Sequence, residues 1–240
     1  MYLVDNTTVL DGLGLGDALC ALHNSIANTN LDDTIYLKNS THKDFYNKII
    51  YPRLQIKDIY KRNFVYVDKL PSPNTKVTDV SKELLPIFES KSEDKIVFCG
   101  YPIQSLIYPF INRVKTAKGR ARKRLVWQCM KRTFKQNWED FILPFANKHG
   151  YETISYYETD IEKVFNTVAN AKVVIGPEGG IYHLTVMFNK PFIMIVPDLL
   201  YECGPKLRKA AINHNLKQHS SYKHQFIQES KFFDEISMYL

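Results

Sequence analysis

No apolar run in the chain approaches the ~20 residues needed to cross a bilayer, so no transmembrane helix is expected. The first residues, Met1 to Asp5, lack both the basic start and the long apolar stretch of a secretory signal. A cytoplasmic protein is therefore expected. Cysteine is scarce: Cys20, Cys99, Cys129 and Cys203 stand far apart and form no CxxC pair. That spacing speaks against a zinc site, and the apolar neighbours of the first three suit buried, reduced thiols. No GxSxG, P-loop or HExxH occurs, so hydrolase, kinase and metalloprotease readings have no support. Neither an internal repeat at a solenoid period nor a low-complexity tract is found.

Acidic residues are missing from one long stretch. Residues 113–135 hold ten basic side chains (Arg113, Lys115, Lys118, Arg120, Arg122, Lys123, Arg124, Lys131, Arg132 and Lys135) and no Asp or Glu. The formal charge of the chain is +7, and without this block 22 basic residues face 25 acidic ones, a net of −3. The positive charge is thus a local device. Such a block is either a solvated linker or a contact for a polyanion: a nucleotide diphosphate, a phosphorylated glycan, an anionic membrane surface or nucleic acid.

What the chain has in quantity is core-forming material. Of 240 residues, 45% are hydrophobic and 13% aromatic, enough for one large domain or two small ones. Strand-like and helix-like segments alternate nearly throughout, the pattern of an α/β protein with parallel sheets. Strands are expected at about 3–10, 34–37, 63–67, 95–99, 124–127, 153–157, 172–175 and 192–196. Helices are expected at 17–28, 42–50, 80–90, 102–113, 138–148 and 160–170, and from Gly180 onward. Thr159 and Asp160 read as the cap of the sixth helix, and Gly150 as the stop of the fifth. The region after Pro205 is less regular, and 229–239 reads as an amphipathic helix. The polar, basic stretch 114–123 marks a boundary, giving expected domains at 1–118 and 119–226, with 227–240 packing back on the first. Two α/β halves, each with a glycine turn after a strand, imply facing Rossmann-like domains with a ligand cleft between them.

The C-terminal glycine turn is Gly176-Pro177-Glu178-Gly179-Gly180-Ile181-Tyr182-His183, between an apolar strand and the run 184–188, read as amphipathic. Its glycines let backbone approach a ligand closely, and the N–H groups at the helix start favour anions. Glu178 has little local purpose in such a turn and suits gripping a sugar or ribose hydroxyl. His183 is open to two readings, a core or helix-surface histidine and a ligand to phosphate or a sugar hydroxyl.

The N-terminal turn is Gly12-Leu13-Gly14-Leu15-Gly16-Asp17. Its spacing is GxGxG, not the GxGxxG of a dinucleotide site, and no acidic residue ends the next strand, so a nicotinamide enzyme is a weak reading. Asp17 is either the N-cap of the first helix or a general base that takes a proton from an attacking hydroxyl. Lys131, Arg132 and Lys135 belong either to a solvated loop or to a site that neutralises a departing diphosphate.

Together these stretches resemble the ADP-heptose:lipopolysaccharide heptosyltransferases, glycosyltransferase family 9, which have the GT-B fold. Leu15-Gly16-Asp17-Ala18-Leu19 is similar to that family's N-terminal turn and helix, whose Asp is the proposed catalytic base. Lys135-Gln136-Asn137-Trp138 is similar to its K-W-P loop, whose Lys binds donor phosphate, with one extra residue and no Pro. Glu178-Gly179-Gly180-Ile181-Tyr182-His183-Leu184 is similar to its D-[ST]-G-x-x-H-L donor turn, with Glu for Asp and Gly179 for the hydroxyl residue. Asn189-Lys190-Pro191 fits downstream. The Gly-Pro-Glu-Gly-Gly wording also resembles another GT-B-like group, the xylosyl- and N-acetylglucosaminyl-transferases.

The resemblance implies a glycosyltransferase that moves a sugar from a nucleotide-diphosphate sugar to an acceptor hydroxyl. Asp17 is its catalytic base, with Gly14 and Gly16 on the acceptor side. Lys131, Arg132, Lys135, Glu178, Gly179, Gly180 and His183 bind the donor. No Asp-x-Asp occurs to carry manganese, so neither metal nor cofactor is expected. The acceptor expected is an anionic glycan of lipopolysaccharide or capsule type. A nucleic acid reached through 113–135, such as hydroxymethylated bases in bacteriophage DNA, is the alternative, as is peripheral membrane contact. A third reading is a non-catalytic nucleotide-sugar- or glycan-binding module. If Asp17 is the base, Asp17→Ala abolishes transfer while the donor still binds in calorimetry. Full turnover in that variant removes the assignment.

Overall fold

The computed structural model describes residues 2–4, 34–38, 63–67, 88, 94–100, 118–119, 134–136, 138–156, 158–198 and 224–240. The expected elements at 17–28, 42–50, 102–113 and 124–127 lie outside the described residues, as does nearly all of 80–90.

Two parallel sheets are formed. In the first, β1 (Tyr2–Val4), β2 (Thr34–Lys38) and β3 (Asn63–Val67) lie in chain order. Tyr2 stands opposite Ile35, and Thr34 opposite Asn63. Parallel neighbours need a crossover between them, and the intervening stretches are long enough to supply one each.

The second sheet is built from β4 (Lys95–Gly100), β5 (Glu152–Ser155), β6 (Ala171–Gly176), β7 (Phe192–Val196) and β8 (His224–Gln228). Its order is β5-β4-β6-β7-β8, all parallel. The chain runs outward from β4 to β5, then jumps back over β4 to β6. Strands buried on both faces read as continuous apolar runs in such sheets, and 192–196 is buried throughout.

Three longer helices accompany it: α1 (Trp138–Lys148), α2 (Ile161–Asn170) and α3 (Gly180–Met187). A crossover of constant hand that reverses direction along a sheet must change faces. Phe141, Ile142 and Ala146 of α1 accordingly pack against Phe98, Val173, Ile175, Ile193, Ile195 and Ile227, one face of the sheet. α2 and α3 pack together on the other face, where Phe165 and Phe188 meet edge to face at 5.8 Å. Both rings also contact Phe88.

Helix ends follow the sequence signals. Asp160 caps α2 by accepting the Lys163 amide at 3.0 Å. Gly150, at φ 68°, ends α1 in a Schellman turn, with Tyr151 N–H donating to the Ala146 carbonyl at 2.9 Å. Asn189, at φ 56°, closes α3 in the same way, Lys190 N–H donating to Thr185. One expectation about α3 fails. The helix is not amphipathic but buried from Ile181 through Met187. Wedged between sheet and α2, it has no wet face and needs no polar one.

Two features differ from the expected division at 118. β4 pairs with β5 and β6, so among the described residues the two sheets part between 67 and 95. The C-terminal segment is also not one helix. After β8 come two 3-10 turns around the four-residue α4 (Phe232–Glu235). Phe232 and Ile236 pack on α1 and the five-stranded sheet rather than on the first sheet. Phe232 meets Phe98, Phe141 and Phe145 with near-perpendicular rings. Phe232→Ala is expected to destabilise the fold by about 3–5 kcal/mol in urea unfolding, and a much smaller loss would show that this segment does not close the core.

Candidate functional site

All five strands of the larger sheet end on one edge, and that edge carries the site. Where neighbouring connections leave toward opposite faces, an open α/β sheet leaves a crevice beyond the strand ends. Here the reversal falls between β4 and β6. Both strands end in glycine, Gly100 and Gly176.

Each glycine is required by packing. A Cβ on Gly176 would overlap the carbonyl oxygen and sulfur of Cys99, and one on Gly100 would overlap the Trp138 indole. The Cys99 backbone cannot yield as a flexible side chain does, so β6 meets β4 without a side chain at Gly176. Trp138, the first residue of α1, covers the end of β4 while packing against the core.

From β6 the chain passes through Pro177, Glu178 and Gly179 into α3. Gly179 is the N-cap, in extended backbone. Glu178 is half-buried, with its Oε2 oxygen out of solvent. Gly180 is half-buried too, while His183 is only 9% exposed, its ring tilted against Tyr182.

Tyr156, just past β5, fixes this turn from across β4. Its hydroxyl donates to the Pro177 carbonyl at 2.6 Å and receives the Cys99 thiol at 3.6 Å. Burial pushes the Cys99 thiol up to about 12, against a smaller opposing effect of the hydrogen bond with Tyr156. The thiol therefore stays protonated at neutral pH and serves packing, not nucleophilic chemistry.

Further along the edge, at the ends of β7 and β8, lies a charged group that the sequence did not single out. Glu229 is 3% exposed and Asp198 6%. Glu229 Oε1 accepts the backbone N–H groups of Lys135 (2.6 Å) and Gln136 (3.2 Å). Its Oε2 accepts the N–H of Asp198 at 3.1 Å. Asp198 Oδ1 accepts from Gln228 Nε2 (2.9 Å) and the Ser230 N–H (3.1 Å). Asp198 Oδ2 lies 3.4 Å from Lys135 Nζ. Burial alone would raise the Asp198 carboxyl, but the hydrogen bonds from Gln228, Ser230 and Lys135 outweigh it and hold the group below the usual range.

Of the residues expected to bind a donor, Glu178, Gly179, Gly180 and His183 follow the end of β6, and Lys135 is tied to the ends of β7 and β8 on the same edge. Asp17, Gly14, Gly16, Lys131 and Arg132 lie outside the described residues. Tyr156, Asp198 and Glu229 were missed. Their only signal is that each stands within two residues of a strand end, and β8 itself was not expected. Among the described residues no three His, Cys, Asp or Glu side chains converge as metal ligands would, and no helix is long and apolar enough to cross a membrane.

No protein-family model, no curated protein and no solved structure matches the chain. Tyr156→Phe is expected to cost about 1–3 kcal/mol in chemical denaturation, because the Pro177 carbonyl loses its donor. A neutral substitution would show that the turn holds itself.

Proposed function

We propose that the chain is a glycosyltransferase whose larger sheet binds the nucleotide-diphosphate sugar. The observation that carries this reading is the position of the turn 177–179, at the carboxyl edge beside the reversal in strand order. That is where doubly wound sheets take nucleotides. The turn supplies backbone N–H groups at the start of α3 for phosphate and the Glu178 carboxylate for sugar or ribose hydroxyls.

Lys135 is held at the same carboxyl edge as the turn, by Glu229 after β8 and Asp198 after β7. In the proposed arrangement one donor reaches both, with its diphosphate between them. In this reading Lys135 offsets the charge that builds on the departing diphosphate, and Lys131 and Arg132 of the same basic block add to it. The N-terminal sheet belongs to a second, acceptor-side domain of a GT-B-like arrangement, and Asp17 takes the acceptor proton. The acceptor favoured by the basic block is an anionic glycan.

A thermal-shift screen of nucleotide-diphosphate sugars tests the reading. One donor class is expected to raise the melting temperature by a few degrees at saturating concentration, and Glu178→Ala to remove that shift. The stabilising donor is then incubated with glycan acceptors and released sugar or product is measured. Absence of a shift with any donor overturns the reading. Binding with neither hydrolysis nor transfer moves it to a non-catalytic nucleotide-sugar-binding module.

A further inference from the structure

We propose that Glu229 and Asp198 form a clamp that positions Lys135 for a diphosphate. The inference rests on the donor-binding reading above and adds two positioning residues to it.

The clamp joins parts of the chain that are far apart in sequence. A single buried carboxylate, Glu229, takes the amides of Lys135 and Gln136 on one oxygen and of Asp198 on the other. It thereby fastens the 134–136 segment to the ends of β7 and β8. Three amide donors converging on one side chain require an acceptor at both atoms, which Glu supplies and Gln does not. Asp198 is set by its own two hydrogen bonds to Gln228 and Ser230, which aim Oδ2 at the Lys135 ammonium.

What this buried apparatus holds is an exposed cation. The Lys135 side chain is 58% exposed beside a carboxylate that is almost fully enclosed. An exposed ion pair adds little to stability, so the ammonium is not needed to keep the segment in place. Glu229 does that through the backbone. The arrangement instead holds an ammonium, paired with the Asp198 carboxylate, at a fixed place on the edge where the turn 177–179 lies. Lysine is otherwise a flexible point charge on a long stem, and fixing its backbone and its ammonium lowers the ordering cost of capturing an anion.

The test uses the full chain, with inorganic pyrophosphate and then nucleoside diphosphates titrated at low salt by calorimetry. Lys135→Ala is expected to weaken pyrophosphate binding about tenfold, the loss of one charge-assisted hydrogen bond. Glu229→Gln is expected to weaken it comparably, and the double variant to be no weaker than either single one. A merely structural Glu229 would give additive losses. Asp198→Asn keeps the acceptor for Gln228 and Ser230 and serves if Glu229→Gln does not fold. It is expected to weaken binding, whereas a carboxylate that only competes for Lys135 would, once neutralised, tighten it. Tighter binding in Asp198→Asn, additive losses, or no pyrophosphate binding by the unaltered chain each overturns the clamp. Lys135-dependent pyrophosphate binding without affinity for any nucleotide sugar leaves the clamp standing and overturns the donor reading. Nucleotide-sugar binding indifferent to Lys135 does the reverse.

Discussion

The approach of β4 to β6 at their carboxyl ends is the constraint on which the larger sheet depends. Gly176 makes it feasible, since a Cβ there would overlap Cys99, and Gly100 lets the Trp138 indole cover the end of β4. The strand order reverses at this pair, and α1 lies on one face of the sheet with α2 and α3 on the other. Cys99 is part of the same constraint. It is fully buried, presses on Gly176 and hydrogen-bonds the tyrosine that holds Pro177. The turn into α3 is thus set by groups lying beneath and beside it.

The edge divides its work between two kinds of chemistry. At β4 and β6 the groups on offer are backbone and one half-buried carboxylate. At β7 and β8 they are buried carboxylates and a cation. The two parts are linked: the Lys135 segment is tied to the sheet through Glu229, Asp198 and the packing of Phe134, and its neighbour Trp138 closes the end of β4. Lys135 and Trp138, three residues apart, therefore meet the edge at the ends of β8 and β4.

Much of this was legible because parallel strands of a two-sided sheet are written as plain apolar runs. The strands at 63–67 and 192–196 and the helix at 138–148 stand where periodicity put them, and Asp160 and Gly150 act as the cap and stop they resemble. β8 was not legible. Its sequence, His-Gln-Phe-Ile-Gln, is that of an outer strand with polar residues at its ends, and nothing local separates it from a loop. The segment after it reads as a helix because Phe232, Phe233, Ile236 and Tyr239 have helical spacing, yet it breaks into short turns to fit its aromatic rings against α1. For the site, a glycine turn after a strand can be recognised from sequence. A carboxylate serving amides ninety-odd residues away, as Glu229 serves Lys135, cannot, because only the fold brings them together.

The place of Phe232 and Ile236 in the core has a consequence for the order in which this half of the molecule comes together. The sheet face carrying Phe98, Val173, Ile193 and Ile195 is covered jointly by α1 and by the segment around Phe232 and Ile236, which lies far from α1 in sequence. Contacts of such long sequence separation form slowly. That face is therefore covered late, and until then it is the apolar surface through which folding chains associate wrongly.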